Sequence, residues 1–270
     1  MKLRPLLFVL PNLFTVSSIF CGFYVVVLAS GEADARTLHL AALITLFSNF
    51  CDTFDGRVAR LTKTQSRFGM ELDSLADVVA FGLAPAVLMY HWVLSSLGWL
   101  GLLVAFSFTA CTALRLARFN VQASEDLGGG AFFTGIPAPM ASAALAAIVI
   151  AYHRMSWGSQ PSPELAPMMA AVTLLLAGLM VSTVRFRTFK QVGRGRTGVL
   201  LFGGALAVAV GIGLAAHPAY ILITFCTAYI ALGLIECVAY WAGRLRPGAE
   251  EELLEERGLV EASDEAESPR

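Results

Sequence analysis

Long runs of apolar residues, separated by short polar segments, follow one another along most of this chain. Eight of these runs approach the roughly 20 residues that an α-helix needs to cross a bilayer. The eight runs cover residues 13–29, 38–54, 72–91, 97–116, 136–152, 168–184, 198–215 and 220–241. The pattern predicts an all-α integral membrane protein, a bundle of about eight transmembrane helices with a polar cavity facing the cytoplasm.

Composition and charge placement agree with this architecture. Of the 270 residues, 57% are hydrophobic and only 14% are charged, which excludes an ordinary soluble domain. If the N-terminus lies inside and the spans are even in number, only Arg36 and Arg154 of the 19 basic residues fall on the outer side. Because positive charge collects in cytoplasmic segments, we expect a multi-pass protein of the cell (inner) membrane with both termini in the cytoplasm. Its expected partner is the lipid bilayer and not nucleic acid.

The last residues differ from the rest of the chain. Residues 1–247 carry 17 basic and 11 acidic side chains, whereas residues 248–270 carry 2 basic and 9 acidic ones. An acidic stretch with few aromatic residues does not bury enough apolar surface to fold by itself. The sequence therefore predicts a membrane domain over residues 1–247 and a solvated, disordered tail over residues 248–270.

Four aspartates stand at the junction of the second and third predicted spans. Asp52 and Asp55 are three residues apart, and Asp73 and Asp77 are four apart, so on two helices each pair shares one face. Converging carboxylates near a bilayer repel one another unless a cation lies among them. Hard oxygen ligands suit Mg²⁺ or Mn²⁺, and two such ions about 4 Å apart can hold a diphosphate for in-line displacement. All four aspartates are therefore candidate ligands of a two-metal site at the cytoplasmic face.

The same stretch resembles the signature of the CDP-alcohol phosphatidyltransferases, Asp-x2-Asp-Gly-x2-Ala-Arg-x8-Gly-x3-Asp-x3-Asp. The residues that match it without a gap are Asp52, Asp55, Gly56, Ala59, Arg60, Gly69, Asp73 and Asp77. Caps at helix ends do not require eight fixed positions, so the match is specific. The resemblance implies that the first three aspartates bind metal and that Asp77 is the general base.

The resemblance also implies how CDP-diacylglycerol is bound. The small residues of the signature let the backbone approach a flat base and a diphosphate, and its arginine can contact phosphate oxygens bidentately. Residues 11–15 resemble the Pro-Asn-x-x-Thr opening of the family, which helps form the nucleotide pocket, although Pro and Asn there can also simply begin a helix. The expected CDP-diacylglycerol ligands are Asn12, Thr15, Asp52, Gly56, Ala59, Arg60 and Gly69.

Three longer blocks, at residues 68–86, 113–120 and 133–139, resemble the phosphatidylserine synthase branch of this family. Arg115 and Arg118 are three apart and can share one helical face, and Asn120 can supply neutral hydrogen bonds to the carboxylate and ammonium groups of serine. These three residues are the expected serine ligands. The two arginines can instead serve only to anchor the fourth span in the cytoplasm.

The resemblance implies a transferase that converts CDP-diacylglycerol and L-serine into phosphatidylserine and CMP. It further implies two Mg²⁺ or Mn²⁺ ions, a catalytic bundle made by the first six spans, and a homodimer. Two alternatives stay open. The acceptor can be another alcohol, such as glycerol 3-phosphate or an inositol compound, or the carboxylates can belong to a membrane cation transporter, although a transporter does not need the small residues at their fixed spacing.

Overall fold

The computed structural model describes residues 4–31, 34–62, 67–124, 132–156, 160–182 and 185–187, together with the helical residues 224, 226–228 and 231. Within these ranges the side chains of residues 4–12, 55–62, 67, 123–124, 132–134 and 185–187 are not described. The seventh predicted span, all but a few residues of the eighth, and the acidic tail over residues 248–270 lie outside the described residues.

Helices make up nearly all of the described chain. Their order, with two short strands, is α1 (Arg4–Ser30), α2 (Ala35–Thr62), α3 (Arg67–Asp77), a π-helical turn (Val78–Leu83), α4 (Ala84–Trp92), a 3₁₀ turn (Leu94–Leu97), α5 (Trp99–Ser124), β1 (Phe132–Thr134), α6 (Ala138–Met155), a second 3₁₀ turn (Pro163–Leu165), α7 (Ala166–Val181) and β2 (Arg185–Arg187). The α3 helix, the π-helical turn and α4 follow one another without a break, so together they form one long rod.

Five of the described helical segments are long and apolar enough to cross a membrane. They are Leu13–Ser30, Phe68–Trp92, Trp99–Gln122, Ala138–Met155 and Pro163–Val181, and they coincide with the predicted spans one, three, four, five and six. The second predicted span forms α2 but is not among the five, because His39, Asn49 and Asp52 interrupt its apolar sequence. By the length and composition of these helices, the chain is a multi-pass membrane protein.

The core lies where the π-helical turn and α4 are enclosed by the other helices. Phe81 and Leu88 are completely buried there, as are Phe108 of α5 and Leu145 of α6. Elsewhere α1 packs along α2, α2 against α6, and α5 against α7. Many large apolar side chains on the outer faces of α1, α2 and α5 remain exposed, as expected for helices that face lipid.

A small β-ribbon, which the sequence pattern did not predict, joins the segment after α5 to the segment after α7. The two strands pair antiparallel, with the register Phe132↔Arg187, Phe133↔Phe186 and Thr134↔Arg185. Just beyond β1, the backbone N–H of Ile136 donates to the carbonyl of Leu179 at 3.1 Å. Gly135, with φ +80°, lies so close to the carbonyl of Met180 that a Cβ would collide with it. Residues 133–139 are thus fixed to the carboxyl end of α7.

Candidate active site

Three of the four motif aspartates converge in the structure. Asp52 lies on α2, Asp73 and Asp77 lie on α3, and one carboxylate oxygen from each lies within 4.8 Å of the other two. All three side chains are half-buried. Ionised carboxylates at this distance repel one another, so a proton or a cation among them would stabilise the cluster.

Helix packing explains why the three carboxyl groups meet. Asp73 and Asp77 are one turn apart and therefore lie on the same face of α3. The α1 helix packs along α2 and also contacts α3 and the π-helical turn. It thus holds the two halves of the aspartate motif side by side. The link between α2 and α3, residues 63–66, is only four residues long and also keeps the two helices close.

The donor set fits a divalent cation. Carboxylate oxygens are the ligands that Mg²⁺ and Mn²⁺ prefer, and a cation among three carboxylates removes the repulsion that they otherwise impose on one another. Asp55 follows Asp52 by nearly one turn of α2, but its side chain lies outside the described residues. Its role as a ligand, and the number of ions, stay predictions.

A buried polar contact joins α1 and α2 one helical turn before Asp52. Thr15, one of the two expected nucleotide ligands on α1, is 5% exposed. One turn further on, the hydroxyls of Ser18 and Ser48 share a hydrogen bond of 2.9 Å between the two helices. Neither serine was predicted to matter, although Ser48 precedes Asp52 by four residues and therefore shares its helical face. That spacing was the available signal.

The remaining expected CDP-diacylglycerol ligands lie on the helices that flank the cluster. Gly56, Ala59 and Arg60 belong to the last turns of α2, Gly69 to the first turn of α3, and Asn12 to α1. For all of these except Gly69, side-chain placement lies outside the described residues. Their contacts with the nucleotide stay predictions.

The structure places the three expected serine ligands in different surroundings. Arg115 is buried, with 9% of its surface exposed. Arg118 is half-buried and donates to the carbonyl oxygens of Val181 at 2.9 Å and Ser182 at 3.3 Å, at the carboxyl end of α7. A guanidinium group is well suited to this position, because the last carbonyls of a helix have no partners within it.

Asn120 connects α5 directly to the aspartate motif. Its side-chain amide donates to the hydroxyl of Ser74 at 2.9 Å, and Ser74 in turn donates to the carbonyl of Met70 at 3.1 Å. Ser74 directly follows Asp73 in the chain. The sequence pattern did not single out Ser74, because its partner lies 46 residues away.

The sequence of the chain matches a known protein family. The profile of one family, CDP-alcohol phosphatidyltransferase, matches residues 8–184, well over half of the chain. The chain belongs to this family. The match runs from α1 to the end of α7 and includes the whole aspartate motif, so the resemblance inferred from the motif is confirmed.

Individual CDP-alcohol phosphatidyltransferases are also similar to the chain. A CDP-diacylglycerol–serine O-phosphatidyltransferase from Helicobacter pylori is 38% identical over 195 residues, which cover 71% of this chain and 77% of the relative. One from Bacillus subtilis (strain 168) is 33% identical over 183 residues, 67% of this chain and 92% of the relative. An archaetidylserine synthase from Methanothermobacter thermautotrophicus is 31% identical over 179 residues, 66% of this chain and 69% of the relative.

Proposed function

We propose that this chain is a CDP-diacylglycerol–serine O-phosphatidyltransferase, which transfers the phosphatidyl group of CDP-diacylglycerol to the hydroxyl of L-serine and releases CMP. The observation that carries the proposal is the convergence of Asp52, Asp73 and Asp77 within 4.8 Å. A cluster of carboxylates fits a reaction at a diphosphate, because it can bind the cations that such a substrate requires. The names of the similar bacterial proteins support serine as the acceptor.

In the proposed reaction, the chain supplies ligands, a base and a shaped site. Asp52, Asp55 and Asp73 would hold two Mg²⁺ or Mn²⁺ ions, with Asp77 as a further candidate ligand, and Asp77 is the proposed general base. Divalent cations bound there would neutralise the negative charge of the diphosphate. Asp77 accepts the proton of the serine hydroxyl, and the serine oxygen attacks the lipid-side phosphorus. The bond from this phosphorus to the oxygen of CMP breaks, and CMP departs with that oxygen.

Serine must compete with water, so its placement matters as much as its activation. We propose that Arg115, Arg118 and Asn120 bind serine near the carboxyl end of α5 and thereby favour serine over water as the nucleophile. The Asn120–Ser74 hydrogen bond supports this placement, because it brings the end of α5 next to Asp73. The nucleotide is proposed to lie against Asn12, Thr15, Asp52, Gly56, Ala59, Arg60 and Gly69.

The membrane arrangement is proposed on the basis of charge placement and helix order. We place the aspartate cluster at the cytoplasmic face of the cell (inner) membrane, in a cavity of an eight-span bundle, because nearly all basic residues would then be inside. Six helical rods precede residue 182, the α3–α4 rod counted as one, which agrees with a six-span catalytic unit. The homodimer and the separate tail over residues 248–270 belong to the same proposal.

An alternative acceptor, such as glycerol 3-phosphate or an inositol compound, would use the same carboxylates. Serine is favoured because the relatives from bacteria and from an archaeon all carry serine in their names. Membership of a transferase family argues against the cation-transporter alternative.

A direct assay tests the function. Purified full-length protein is incubated with CDP-diacylglycerol, Mg²⁺ or Mn²⁺, and one alcohol at a time from a panel of serine, glycerol 3-phosphate and inositol compounds. We expect CMP release and a phosphatidylserine product with serine. A lipid product with glycerol 3-phosphate or an inositol compound, and none with serine, would assign a different acceptor. CMP release without any lipid alcohol product would mean hydrolysis.

A further inference from the structure

The rod that carries Asp73 and Asp77 changes its helical geometry immediately after Asp77. Residues Val78–Leu83 form a π-helical turn, and the backbone N–H of Ala84 donates to the carbonyl of Val79, five residues back. The sequence contains a local cause. Pro85 has no N–H to offer the carbonyl of Phe81 four residues back, and in a regular helix its ring would collide with that carbonyl.

This turn changes which way Asp77 faces. In a regular helix, Asp77 would precede Leu88 by about three full turns and would lie on the same face. Leu88 is completely buried in the apolar core. A π-helical turn accommodates one extra residue, which rotates everything before it by about 100° relative to the helix that follows. Asp77 is therefore turned away from the face of Leu88, and its carboxyl group lies beside Asp52 of α2.

The π-helical turn is held closely on the side of α1. A Cβ placed on Gly22 would lie 2.9 Å from the Cα of Ala80 and 3.2 Å from its backbone nitrogen. The obstacle is backbone, which cannot swing aside as a flexible side chain can. Only glycine at position 22 therefore permits this approach of α1 to the turn.

The opposite side of the turn is held by α5. The Thr109 hydroxyl lies 3.4 Å from the carbonyl of Gly82, as well as 3.4 Å from that of Ala105 in its own helix. A Cβ on Gly82 would lie 3.1 Å from the Cβ of Thr112. The turn is thus held between backbone contact with α1 on one side and a hydroxyl-lined face of α5 on the other.

We propose that the π-helical turn sets the rotation of Asp73 and Asp77 toward Asp52, and that Gly22, Pro85 and Thr109 are positioning residues of the metal site. Gly22 and Thr109 hold the turn from its two sides, and Pro85 prevents it from becoming a regular helix. The inference rests on the proposed function in one respect, because it takes the three carboxylates to bind divalent cations.

The test measures metal binding without catalysis. Full-length protein in lipid nanodiscs is titrated with Mn²⁺ alone, and the bound ion is followed by electron paramagnetic resonance. Gly22→Ala should raise the Kd for Mn²⁺ about tenfold or more, because Ala80 must shift. Gly178→Ala is the matched control, since Gly178 also lies in an apolar helix but a Cβ there meets no atom of the described residues within 4 Å. Its Kd should equal that of the unmodified protein, and Asp73→Asn shows the signal of a damaged site.

Two further substitutions test the other proposed positioning residues, Pro85 and Thr109. Pro85→Ala returns the missing N–H donor and should raise the Kd for Mn²⁺ because a regular helix becomes accessible. Thr109→Val removes the hydroxyl and should raise the Kd a few-fold, whereas Thr109→Ser keeps it and should restore the original value. Each Kd is expressed per folded molecule, with the folded fraction taken from the thermal unfolding curve. If Gly22→Ala does not fold, Pro85→Ala and the Thr109 pair decide the question.

The proposal is wrong if these variants bind Mn²⁺ as tightly per folded molecule as Gly178→Ala does. Their thermal stability could fall in that situation, and the turn would then be only a packing feature. The proposed function fails separately, if the unmodified protein binds Mn²⁺ at the cluster but makes no phosphatidylserine from CDP-diacylglycerol and serine.

Discussion

Two of the polar junctions between the described helices of this protein are built on opposite electrostatic principles. At the meeting of α2 and α3, three carboxyl groups of like charge approach within 4.8 Å. At the meeting of α5 and α7, the positive guanidinium of Arg118 meets two backbone carbonyls. The first arrangement is stabilised by a cation or a proton, whereas the second is favourable without any ligand. The contrast separates a cluster whose stability depends on what it binds from a contact that is stable by itself.

The largest expected effect comes from neutralising the carboxylate cluster. Asp52→Asn or Asp73→Asn should lower the rate of CMP release by roughly 10³-fold or more, since several kcal/mol of metal-mediated charge stabilisation is lost. Asp55→Asn should do the same. The unfolding temperature in EDTA should not fall, because the asparagine removes a repulsion and nearly keeps the shape. Activity is measured with serine and CDP-diacylglycerol at saturation.

Two results would contradict this prediction. Full turnover by the unmodified enzyme in excess EDTA would show that no metal is needed. A large fall in the unfolding temperature of the Asn variants would show that the carboxyl groups stabilise the fold.

The next effect concerns the junction of α5 and α7. Arg118→Ala should destabilise the protein by about 1–3 kcal/mol, because two charge-assisted hydrogen bonds to Val181 and Ser182 are lost. Arg118→Lys retains the charge but not the planar guanidinium group. Its stability should therefore lie between that of the unmodified protein and that of Arg118→Ala. Thermal unfolding in nanodiscs measures the effect. The KM for serine is measured alongside it, and the proposed serine contact predicts that this KM rises as well. An unchanged KM would leave Arg118 with the structural role alone.

A smaller effect is expected from loss of the hydrogen bond between Asn120 and Ser74, which links α5 to the aspartate motif. Asn120→Ala and Ser74→Ala each break the hydrogen bond that ties α5 to the residue after Asp73, and each should lower kcat about three- to tenfold. The double variant should be no worse than the singles, because the two residues act as one pair. Ser107→Ala is the matched control, since Ser107 is half-buried like Ser74 and likewise donates to the carbonyl four residues back in its own helix. Fully additive losses would mean that Asn120 acts on serine independently of Ser74.

The smallest effect is expected from the acidic tail. Removal of residues 248–270 should leave kcat and both KM values within about twofold, because this stretch has too little apolar content to pack against the bundle. The truncated protein must be inserted in the membrane at normal levels for the comparison. Loss of most activity in such a sample would give the tail a part in catalysis.

The sequence was most informative where a single helix decides the outcome. Five predicted spans appear as apolar helices because about 20 predominantly apolar residues leave little choice of structure in a membrane. The meeting of Asp52 with Asp73 and Asp77 was also foreseen, since residues three and four apart share a helical face whatever the rest of the chain does.

Contacts between distant segments that no sequence motif links were not foreseen. The hydrogen bond between Ser18 and Ser48 joins residues 30 apart, and the β-ribbon pairs strands of only three residues, which carry no readable alternation. The π-helical turn escaped for a different reason, because a pattern read with 3.6 residues per turn assumes a regular helix. Pro85 was its only sign in the sequence.

The hydrogen bonds at the carboxyl end of α7 constrain the order in which parts of the chain can fold during synthesis. Leu179, Val181 and Ser182 accept hydrogen bonds from Ile136 and Arg118, which leave the ribosome long before them; Arg118 precedes its two acceptors by 63 and 64 residues. The end of α5 and the segment after β1 must therefore wait, during synthesis, for a helix that emerges after them. A chain that stops before residue 179 lacks all three acceptors, so the shortest fragment able to complete this corner of the bundle extends through residue 182.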